Sequence, residues 1–249
     1  MCIRDSLRVE ATPDYLYSEG TAERIGSSLP DARVVIILRE PVSRLKSWYK
    51  FALQEYFLPK GMSFEDYVRV QLDGEEAIAR AEQTATGRDD TLPLRYYLSA
   101  LEHGRYGPYI YEYVKHVTPE RLLLVFYEDI QKDAASCMKA ICRFAGIDPE
   151  FYSNFTPERH NQSVAVKSDA AHKFYQRWRI RIRRRTHNLR IHGLLRAVKR
   201  ALLDPLYRRL NTGAAAENEL PEDLRARLED YYRDDRKRVE ALAGRPAPW

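Results

Sequence analysis

The sequence is poor in cysteine and has no long apolar run. Its three cysteines, Cys2, Cys137 and Cys142, do not follow a metal-binding spacing, so we expect no metal site and interpret them as reduced thiols. No stretch reaches the roughly 18–20 apolar residues of a membrane-spanning helix, and no basic leader followed by an apolar segment begins the chain. These absences predict a soluble, cytoplasmic protein, and 249 residues suffice for one α/β core.

The glycines do not form the phosphate-binding loop of P-loop nucleotide enzymes. None of the eleven glycines stands in the pattern G-x-x-x-x-G-K-[ST], and no Mg²⁺-ligand pattern is evident. A nucleotide kinase is therefore a poor interpretation of the chain. Any phosphate site must use a different set of donors.

Residues 33–49, RVVIILREPVSRLKSWY, predict a strand, a tight turn and a helix. Residues 34–38 are an unbroken, mostly β-branched run, which is typical of a strand buried on both faces of a parallel sheet. Pro41 suits the first turn of a helix, and apolar residues then recur at helical spacing. Ligands bind at the carboxyl ends of such strands, and helix N-termini attract anions. Arg39 and Ser47 are therefore candidates to bind a phosphate.

The remaining chain predicts further elements of an α/β protein. Residues 7–9 resemble the end of a buried strand, and residues 121–129 predict another buried strand that ends in acids. Residues 73–93 are polar and are expected to form a flexible excursion. Helices are predicted near 19–28, after a capping box at Ser63 and Asp66, on both sides of 103–108, at 133–144 and at 224–242.

The positive charge of the chain is concentrated in one segment. The net charge is +5, but residues 173–209 contain thirteen Lys and Arg against one acid, so the remainder carries a net charge of −7. Helical spacing of apolar residues in the second half predicts a basic amphipathic helix. This segment could contact a polyanion, an anionic membrane surface or nucleic acid, or it could pack against the acidic remainder. Nucleic acid is not expected, because no recognition fold accompanies the charge.

Several motifs together resemble sulfotransferases that use 3′-phosphoadenosine 5′-phosphosulfate (PAPS), in particular the branch that contains heparan sulfate sulfotransferases. In that family a buried strand ends in arginine, a proline turn follows, and a serine stands eight residues after the arginine, as in ILREPVSRLKSWY. EATPDYL at 10–16 is similar to the family segment E-K-[ST]-P-x-Y-[LF], with Ala11 in place of the lysine. HGRYGPYI at 103–110, LLLVFYEDI at 122–130 and RHNQS at 159–163 resemble further family motifs.

The resemblance implies an α/β fold with a P-loop-like parallel sheet and helices on both faces. It also implies that PAPS is the co-substrate and that Arg39 and Ser47 hold its 3′-phosphate. The sulfuryl group would move to a hydroxyl or amine of an acceptor such as a carbohydrate. Glu10 would then be a candidate catalytic base, or alternatively would only hold the loop that follows it.

The family's first strand and its K-x-G-[ST]-[ST] loop for the 5′-phosphosulfate do not occur in the sequence. Residues 1–6, MCIRDS, resemble a translated sequencing-adapter remnant, so we expect a non-native leader on an amino-terminally truncated domain. Residues 7–170 are predicted to be the partial sulfotransferase core, and residues 171–249 its basic and amphipathic helical part. Without the phosphosulfate loop and the usual base, this chain alone is expected to be inactive.

Simpler interpretations stay open for single residues and for the whole chain. Arg39 could pair with Glu40 or Glu128, and Ser47 could be an exposed helix serine. Three histidines fit no catalytic pattern and are interpreted as solvated or structural: His103, His160 and His172. The main alternative to an enzyme is a noncatalytic binding protein whose basic amphipathic helix engages polyanions or a membrane surface.

Overall fold

The computed structural model describes residues 7–55, 57–59, 61–85, 93–152, 165–166, 212–213 and 220–249. The predicted leader at 1–6, the RHNQS motif, the domain boundary at residue 170 and the basic segment at 173–209 lie outside the described residues. The expectations for these parts of the chain therefore stay predictions.

The central feature of the fold is a parallel pair of strands. β1 (Val34–Leu38) lies beside β2 (Leu122–Phe126), with Leu38 opposite Phe126. Parallel strands need a long crossover, and here helices supply it. The predicted parallel arrangement of these two strands is confirmed. A second, shorter pair is antiparallel and consists of β3 (Ala165–Val166) and β4 (Thr212–Gly213).

Helices make up most of the other described residues. The α-helices are α1 (Thr21–Ser28), α2 (Pro41–Gln54), α3 (Phe64–Leu72), α4 (Glu75–Thr84), α5 (Leu94–Tyr97), α6 (Tyr106–His116), α7 (Tyr127–Lys132), α8 (Ala134–Ala145) and α9 (Glu222–Ala243). Short 3₁₀ turns occupy Pro13–Leu16, Glu102–Gly104, Pro119–Arg121 and Pro149–Tyr152. The acids expected to end the strand at 121–129 instead belong to the first turn of α7. Among the described helices, none is both long and apolar enough to cross a membrane.

Local sequence explains where several helices begin and end. Ser63 Oγ accepts the N–H of Asp66 at 3.0 Å, and Asp66 Oδ2 accepts the N–H of Ser63 at 3.3 Å, so the predicted capping box is confirmed. Asp133 caps α8 by accepting the N–H of Ser136 at 3.0 Å. Gly146 then ends α8 with φ 74°, in the left-handed region that glycine adopts without strain.

The polar segment at residues 73–93 is not a flexible excursion over its first half, and that prediction was wrong. Gly74 turns the chain with φ 83°, and α4 follows directly. The helix has an apolar face because Ala77 is buried and both Ile78 and Ala81 pack against the neighbouring core. Only these few apolar residues mark the helix among many charged ones, which is why the pattern was missed.

The strand expected at residues 7–9 does not form. Residues 7–12 have no regular secondary structure, and Leu7 and Val9 are 55% and 80% exposed. A strand needs a neighbour to pair its backbone groups, and no strand among the described residues pairs with this segment. The apolar side chains alone were therefore a misleading indication.

Two clusters of buried residues hold the described elements together. The first joins α2, α3, α5 and the first half of α9, and it includes Leu45 and Leu228. The second covers one face of the β1–β2 pair with α1, α6 and the end of α9, and it includes Leu38 and Val239. Because α9 contributes to both clusters, this carboxyl-terminal helix is an integral part of the described fold.

Candidate functional site

The carboxyl ends of β1 and β2 lie at one edge of the strand pair. Because the strands are parallel and in register at Leu38 and Phe126, the next residues, Arg39 and Tyr127, are neighbours at that edge. Open α/β sheets bind ligands at this edge. Arg39 therefore lies at the same edge as Tyr127, Glu128 and Asp129, which follow β2 directly.

Glu40 fixes the turn between β1 and α2. Its Oε1 accepts the N–H of Val42 at 2.8 Å and its Oε2 accepts the N–H of Ser43 at 2.6 Å, so its side chain caps the helix. Pro41 follows at the first helical position, where its missing N–H is tolerated. The N–H of Glu40 donates to Glu128 Oε1 at 2.9 Å, which ties the start of α2 to the end of β2.

Arg39 does not pair with either acid. Its guanidinium carbon lies 5.2 Å from the centre of the Tyr127 ring, and no carboxylate within the described residues forms an ion pair with it. Its carbonyl oxygen accepts the hydroxyl of Tyr106 at 2.9 Å. The alternative in which Glu40 or Glu128 neutralises Arg39 is therefore not what the fold contains, since both carboxylates bind backbone N–H groups instead.

Three buried side-chain atoms in the described part of the chain have no hydrogen-bond partner, and they belong to the residue after β1, to α2 and to α7. They are Arg39 Nε, Trp48 Nε1 and Glu128 Oε2. The large majority of buried side-chain polar atoms have a hydrogen-bond partner, so such atoms need an explanation. Two of them are N–H donors and one is an acceptor. A ligand with an anionic group and a hydroxyl or amino group has complementary chemistry.

Ser47 lies in the second turn of α2, eight positions after Arg39 and directly before Trp48. Its side chain is half-buried, and its hydroxyl makes no hydrogen bond within the described residues. It is therefore not the fully exposed helix serine of the simpler interpretation. The helix begins at the edge where Arg39 lies, and Ser47 is one turn further along it.

A stack of three side chains lies next to this site and was not expected from the sequence. Tyr17 stacks on His103 with ring centres 4.4 Å apart, and the Arg44 guanidinium lies 5.4 Å from the Tyr17 ring. Arg44 is held in turn by a 2.9 Å hydrogen bond to the carbonyl of Ala100. The stack connects the 3₁₀ turn at Pro13–Leu16, helix α2 and the turn before α6.

The electrostatics of the stack favour a neutral histidine. Burial and, secondly, the charge of Arg44 lower the pKa of His103 from its ordinary value. Burial raises the pKa of Tyr17, an effect that Arg44 partly opposes. His103 is thus half-buried and stacked rather than solvated, so of the two simple interpretations only the structural one fits.

Glu10 lies apart from these residues. It is exposed, its Oε1 accepts the hydroxyl of Thr12 at 2.9 Å, and it lines an open groove of about 810 Å³ together with residues 28–32. Those residues lead into the amino end of β1, whereas Arg39 follows its carboxyl end. The contact with Thr12 agrees with the interpretation in which Glu10 holds its own loop, and the structure does not bring Glu10 together with Arg39 and Ser47.

The edge thus offers the Arg39 guanidinium and one Glu128 carboxylate oxygen, and helix α2, which begins there, carries the Ser47 hydroxyl and the Trp48 indole N–H in its second turn. In the described residues, no group of three or more His, Cys, Asp or Glu side chains is placed to hold a metal ion. The arrangement can bind an anion and orient it.

Residues 23–189 match the family model of the sulfotransferase domain, which is more than half of the chain. The chain belongs to the sulfotransferase family. The matched residues include β1, α2 and β2 and therefore the whole edge described above. The resemblance inferred from the motifs is confirmed at the level of the family.

Curated relatives of this sulfotransferase domain are distant and much longer. Bifunctional heparan sulfate N-deacetylase/N-sulfotransferase 4 of Mus musculus is 25% identical over 154 residues, which cover 60% of this chain and 16% of the relative. Heparan sulfate glucosamine 3-O-sulfotransferase 3B1 of Mus musculus is 23% identical over 159 residues, which cover 62% and 36%. Membrane-associated sulfotransferase kil1 of Dictyostelium discoideum is 33% identical over 78 residues, which cover 30% and 17%. The chain spans about a third or less of the length of each.

A solved structure is similar to the fold of this sulfotransferase domain. The crystal structure of a sulfotransferase from Alicyclobacillus acidocaldarius superposes with a TM-score of 0.54 at 20% sequence identity, covering 94% of this chain and 63% of that chain. At that identity the likeness concerns the fold alone. Together with the parallel β1–β2 pair and the surrounding helices, it confirms the α/β class.

Helix α9 contacts the start of α6, whose Tyr106 binds the backbone of Arg39, and the sequence did not indicate this contact. Asp235 of α9 is 4% exposed, and its Oδ1 accepts the N–H of Gly107 at 3.1 Å. Burial raises the pKa of Asp235, while the N–H donors of Gly107 and Tyr106 oppose that rise. A Cβ at Gly107 would lie 2.7 Å from Asp235 Oδ1, so only glycine permits this approach. No local pattern signals a contact between residues so distant in sequence.

Proposed function

We propose that this protein is a PAPS-dependent sulfotransferase that moves a sulfuryl group to a hydroxyl or amine of a carbohydrate. The observation that carries the proposal is the pair of unpaired buried atoms at the carboxyl edge, Arg39 Nε and Glu128 Oε2, within a sulfotransferase domain. Heparan sulfate enzymes among the relatives support a carbohydrate acceptor.

The residues at the edge fit the 3′-phosphate that distinguishes PAPS from ATP. A guanidinium can bind two phosphate oxygens at once, and a neighbouring hydroxyl can donate to a third. Neither the Arg39 guanidinium nor the Ser47 hydroxyl makes a hydrogen bond within the described residues, so the two groups are candidates for these two roles. The stacking of Arg39 on Tyr127 limits the directions in which its side chain can point, so the anion site is partly formed in advance.

The bound donor supplies the sulfuryl group that the acceptor oxygen or nitrogen attacks in line. This chain's residues bind and orient rather than react covalently, which is how enzymes accelerate such transfers. Arg39 and Ser47 anchor the nucleotide by its 3′-phosphate, and the Glu40–Glu128 hydrogen bond keeps the two strand ends together beneath it. Holding the nucleotide at its far end fixes where the reacting end lies.

Fewer observations support the assignment of residues that would bind the acceptor. A catalytic role for Glu10 stays a prediction, and its position beside the amino end of β1 gives that role no support. Contact of residues 173–209 with a polyanion or membrane surface also stays a prediction. So does the cytoplasmic location, while one relative is described as membrane-associated.

The second candidate is a noncatalytic protein that binds polyanions through the basic segment, and the net charge of +12 at residues 173–209 favours it. It predicts binding that depends on total ligand charge and salt. The sulfotransferase proposal instead predicts selectivity for the position of one phosphate. Measuring two nucleotides at the same ionic strength therefore separates the candidates.

Calorimetric titration with adenosine 3′,5′-bisphosphate and adenosine 5′-phosphate tests the proposed function. The wild-type chain should prefer the bisphosphate. Arg39→Ala should weaken the binding of the bisphosphate by about 1.5–3 kcal/mol, or roughly ten- to a hundredfold in affinity, because a charge-assisted contact is lost. Affinity for adenosine 5′-phosphate should hardly change.

The control is Arg80→Ala, which removes an exposed arginine whose pair with Glu76 spans 3.9 Å. It should leave both affinities as they are. Equal losses for both nucleotides in Arg39→Ala would contradict the assignment of Arg39 to the 3′-phosphate. A wild-type chain without any preference would contradict the proposed function.

A further inference from the structure

Tyr106 links helix α6 to the backbone of the site arginine. Its side chain is 2% exposed, and its hydroxyl donates to the carbonyl of Arg39 at 2.9 Å. The bond joins residues far apart in sequence and ends at the residue that follows β1. The Arg39 side chain also packs on the Tyr127 ring.

The start of α6 is itself firmly held. Asp235 accepts the N–H of Gly107 at 3.1 and 3.3 Å, and Tyr232 donates its hydroxyl to the carbonyl of Leu101 at 2.8 Å. Both partners come from α9, which belongs to the buried core. Tyr106 therefore transmits a fixed position from α9 and α6 to Arg39.

The position of the Arg39 backbone matters because its side chain is not held by hydrogen bonds. A guanidinium at the end of a long side chain is aimed by its Cα and by whatever it packs on. Tyr127 restrains the far end by stacking, and Tyr106 restrains the near end through the carbonyl. Contacts that bind a ligand tightly need such support from the residues behind them.

We propose that Tyr106 is a positioning residue that sets the selectivity of the site for the 3′-phosphate by holding the backbone of Arg39. The inference rests on the proposed function, since it assigns the 3′-phosphate to Arg39. Tyr106 itself does not touch the nucleotide in this proposal. Its hydroxyl acts only through the Arg39 carbonyl.

Helix α6 provides a matched control. Tyr113 lies seven residues after Tyr106 and hence on the same helical face, it is 4% exposed, and its hydroxyl donates to the carbonyl of Tyr15 at 2.8 Å. Both tyrosines belong to the same buried cluster. Tyr106→Phe and Tyr113→Phe therefore delete the same group and the same kind of bond, and only the first deletion reaches Arg39.

The test compares the affinity ratio of adenosine 3′,5′-bisphosphate to adenosine 5′-phosphate in both variants of the full chain. Tyr106→Phe should reduce the ratio about three- to tenfold, whereas Tyr113→Phe should leave it unchanged within about twofold. Thermal unfolding should shift by similar amounts in the two variants, so a general loss of stability cannot explain the difference.

A double variant shows whether Tyr106 acts through Arg39. If it does, the double variant Arg39→Ala with Tyr106→Phe should have the same affinity ratio as Arg39→Ala alone, because the guanidinium that the Tyr106 hydroxyl positions is already absent. Additive losses would overturn the inference. An unchanged affinity ratio in Tyr106→Phe, or an equal fall of the ratio in Tyr113→Phe, would also overturn the inference. If the wild-type chain still preferred the bisphosphate, the proposed function would not be affected by either result. A wild-type chain without preference would overturn both.

Discussion

The two ends of the β1–β2 pair use arginine in opposite ways. At the amino end, Arg121 donates to the carbonyls of Ala32 at 2.9 Å and Leu29 at 2.8 Å, and Arg33 donates to the carbonyl of Phe144. At the carboxyl end, Arg39 lies on the Tyr127 ring, and its buried Nε has no partner. The side chains at the amino end are committed to holding the fold together.

The difference teaches how to recognise the functional edge of such a domain. Arginine at a strand end is common to both edges, so residue type alone does not distinguish them. Hydrogen-bonding capacity does, because the amino-end arginines bind backbone carbonyls and the carboxyl-end arginine retains unused donors. A group that is buried without a partner costs stability unless a ligand provides one. The carboxyl edge is therefore the one at which we expect a ligand to bind.

The largest difference between the edges should be in stability. Arg121→Ala leaves two carbonyls without their donor and should lower the free energy of unfolding by about 2 kcal/mol, since bonds from a charged donor are worth about 1.5–3 kcal/mol each and these are partly exposed. Arg39→Ala removes a stacking contact and should cost only about 0.5–1 kcal/mol.

Urea denaturation of the two variants measures this difference directly. The nucleotide affinity ratio should move in the opposite sense, unchanged in Arg121→Ala and strongly reduced in Arg39→Ala. If Arg39→Ala destabilised the fold as much as Arg121→Ala, Arg39 would be a structural residue and the contrast between the two edges would disappear.

The sequence was sufficient to predict those elements of the edge that are determined by residues close together in the chain. The aliphatic run 34–38 and Pro41 predicted a parallel strand and a helix, and both form. The anion site at Arg39 stays a prediction. The same local logic located the capping box of α3. It failed where apolar residues had no partner, as at 7–9, or where few of them marked a helix, as in α4.

Contacts between distant parts of the chain could not be predicted. Tyr106 reaches Arg39 and Asp235 reaches Gly107 only because α6 and α9 pack together in the folded chain. The stack of Tyr17 on His103 likewise joins two segments with no shared pattern. The sequence thus indicates which residue is the candidate for contact with a ligand. The residues that hold it in place become visible only in three dimensions.

A smaller difference between the edges concerns two serines. Ser47→Ala should lower the affinity for adenosine 3′,5′-bisphosphate about two- to tenfold, which is less than the loss in Arg39→Ala, because a neutral hydroxyl is a weaker donor than a guanidinium. Ser27 of α1, which lies toward the amino edge and bonds its own helix at the Glu23 carbonyl, is the control. Calorimetry should show no change for Ser27→Ala. A loss in Ser47→Ala as large as that in Arg39→Ala would mean that the serine replacement disturbs the helix.

The smallest expected effect is a dependence of stability on pH at the carboxyl side. Burial, followed by the charge of Arg44, lowers the pKa of His103, while the acids Glu102 and Asp14 oppose the shift more weakly. Tyr17 and Tyr109 complete its surroundings through ring contacts. Because the folded pKa lies below the unfolded one, the unfolded chain takes up the proton first. The contribution of neutral His103 is therefore present above the ordinary histidine pKa of about 6.5 and is lost as pH falls through the lowered value.

Urea unfolding of the wild-type chain and of His103→Gln at pH 7.5 and pH 5 tests this sign. The wild type should lose more stability on acidification than the variant, since glutamine does not titrate and the other histidines are common to both proteins. The affinity ratio of the two nucleotides at pH 7.5 should be the same in both, because His103 stacks on Tyr17 and not on Arg39. An identical loss in the two proteins would show that the imidazole is as easily protonated in the fold as in water. The stack beside Arg44 would then have no electrostatic consequence, and the carboxyl side would differ from the amino side only at Arg39, Ser47 and the atoms around them.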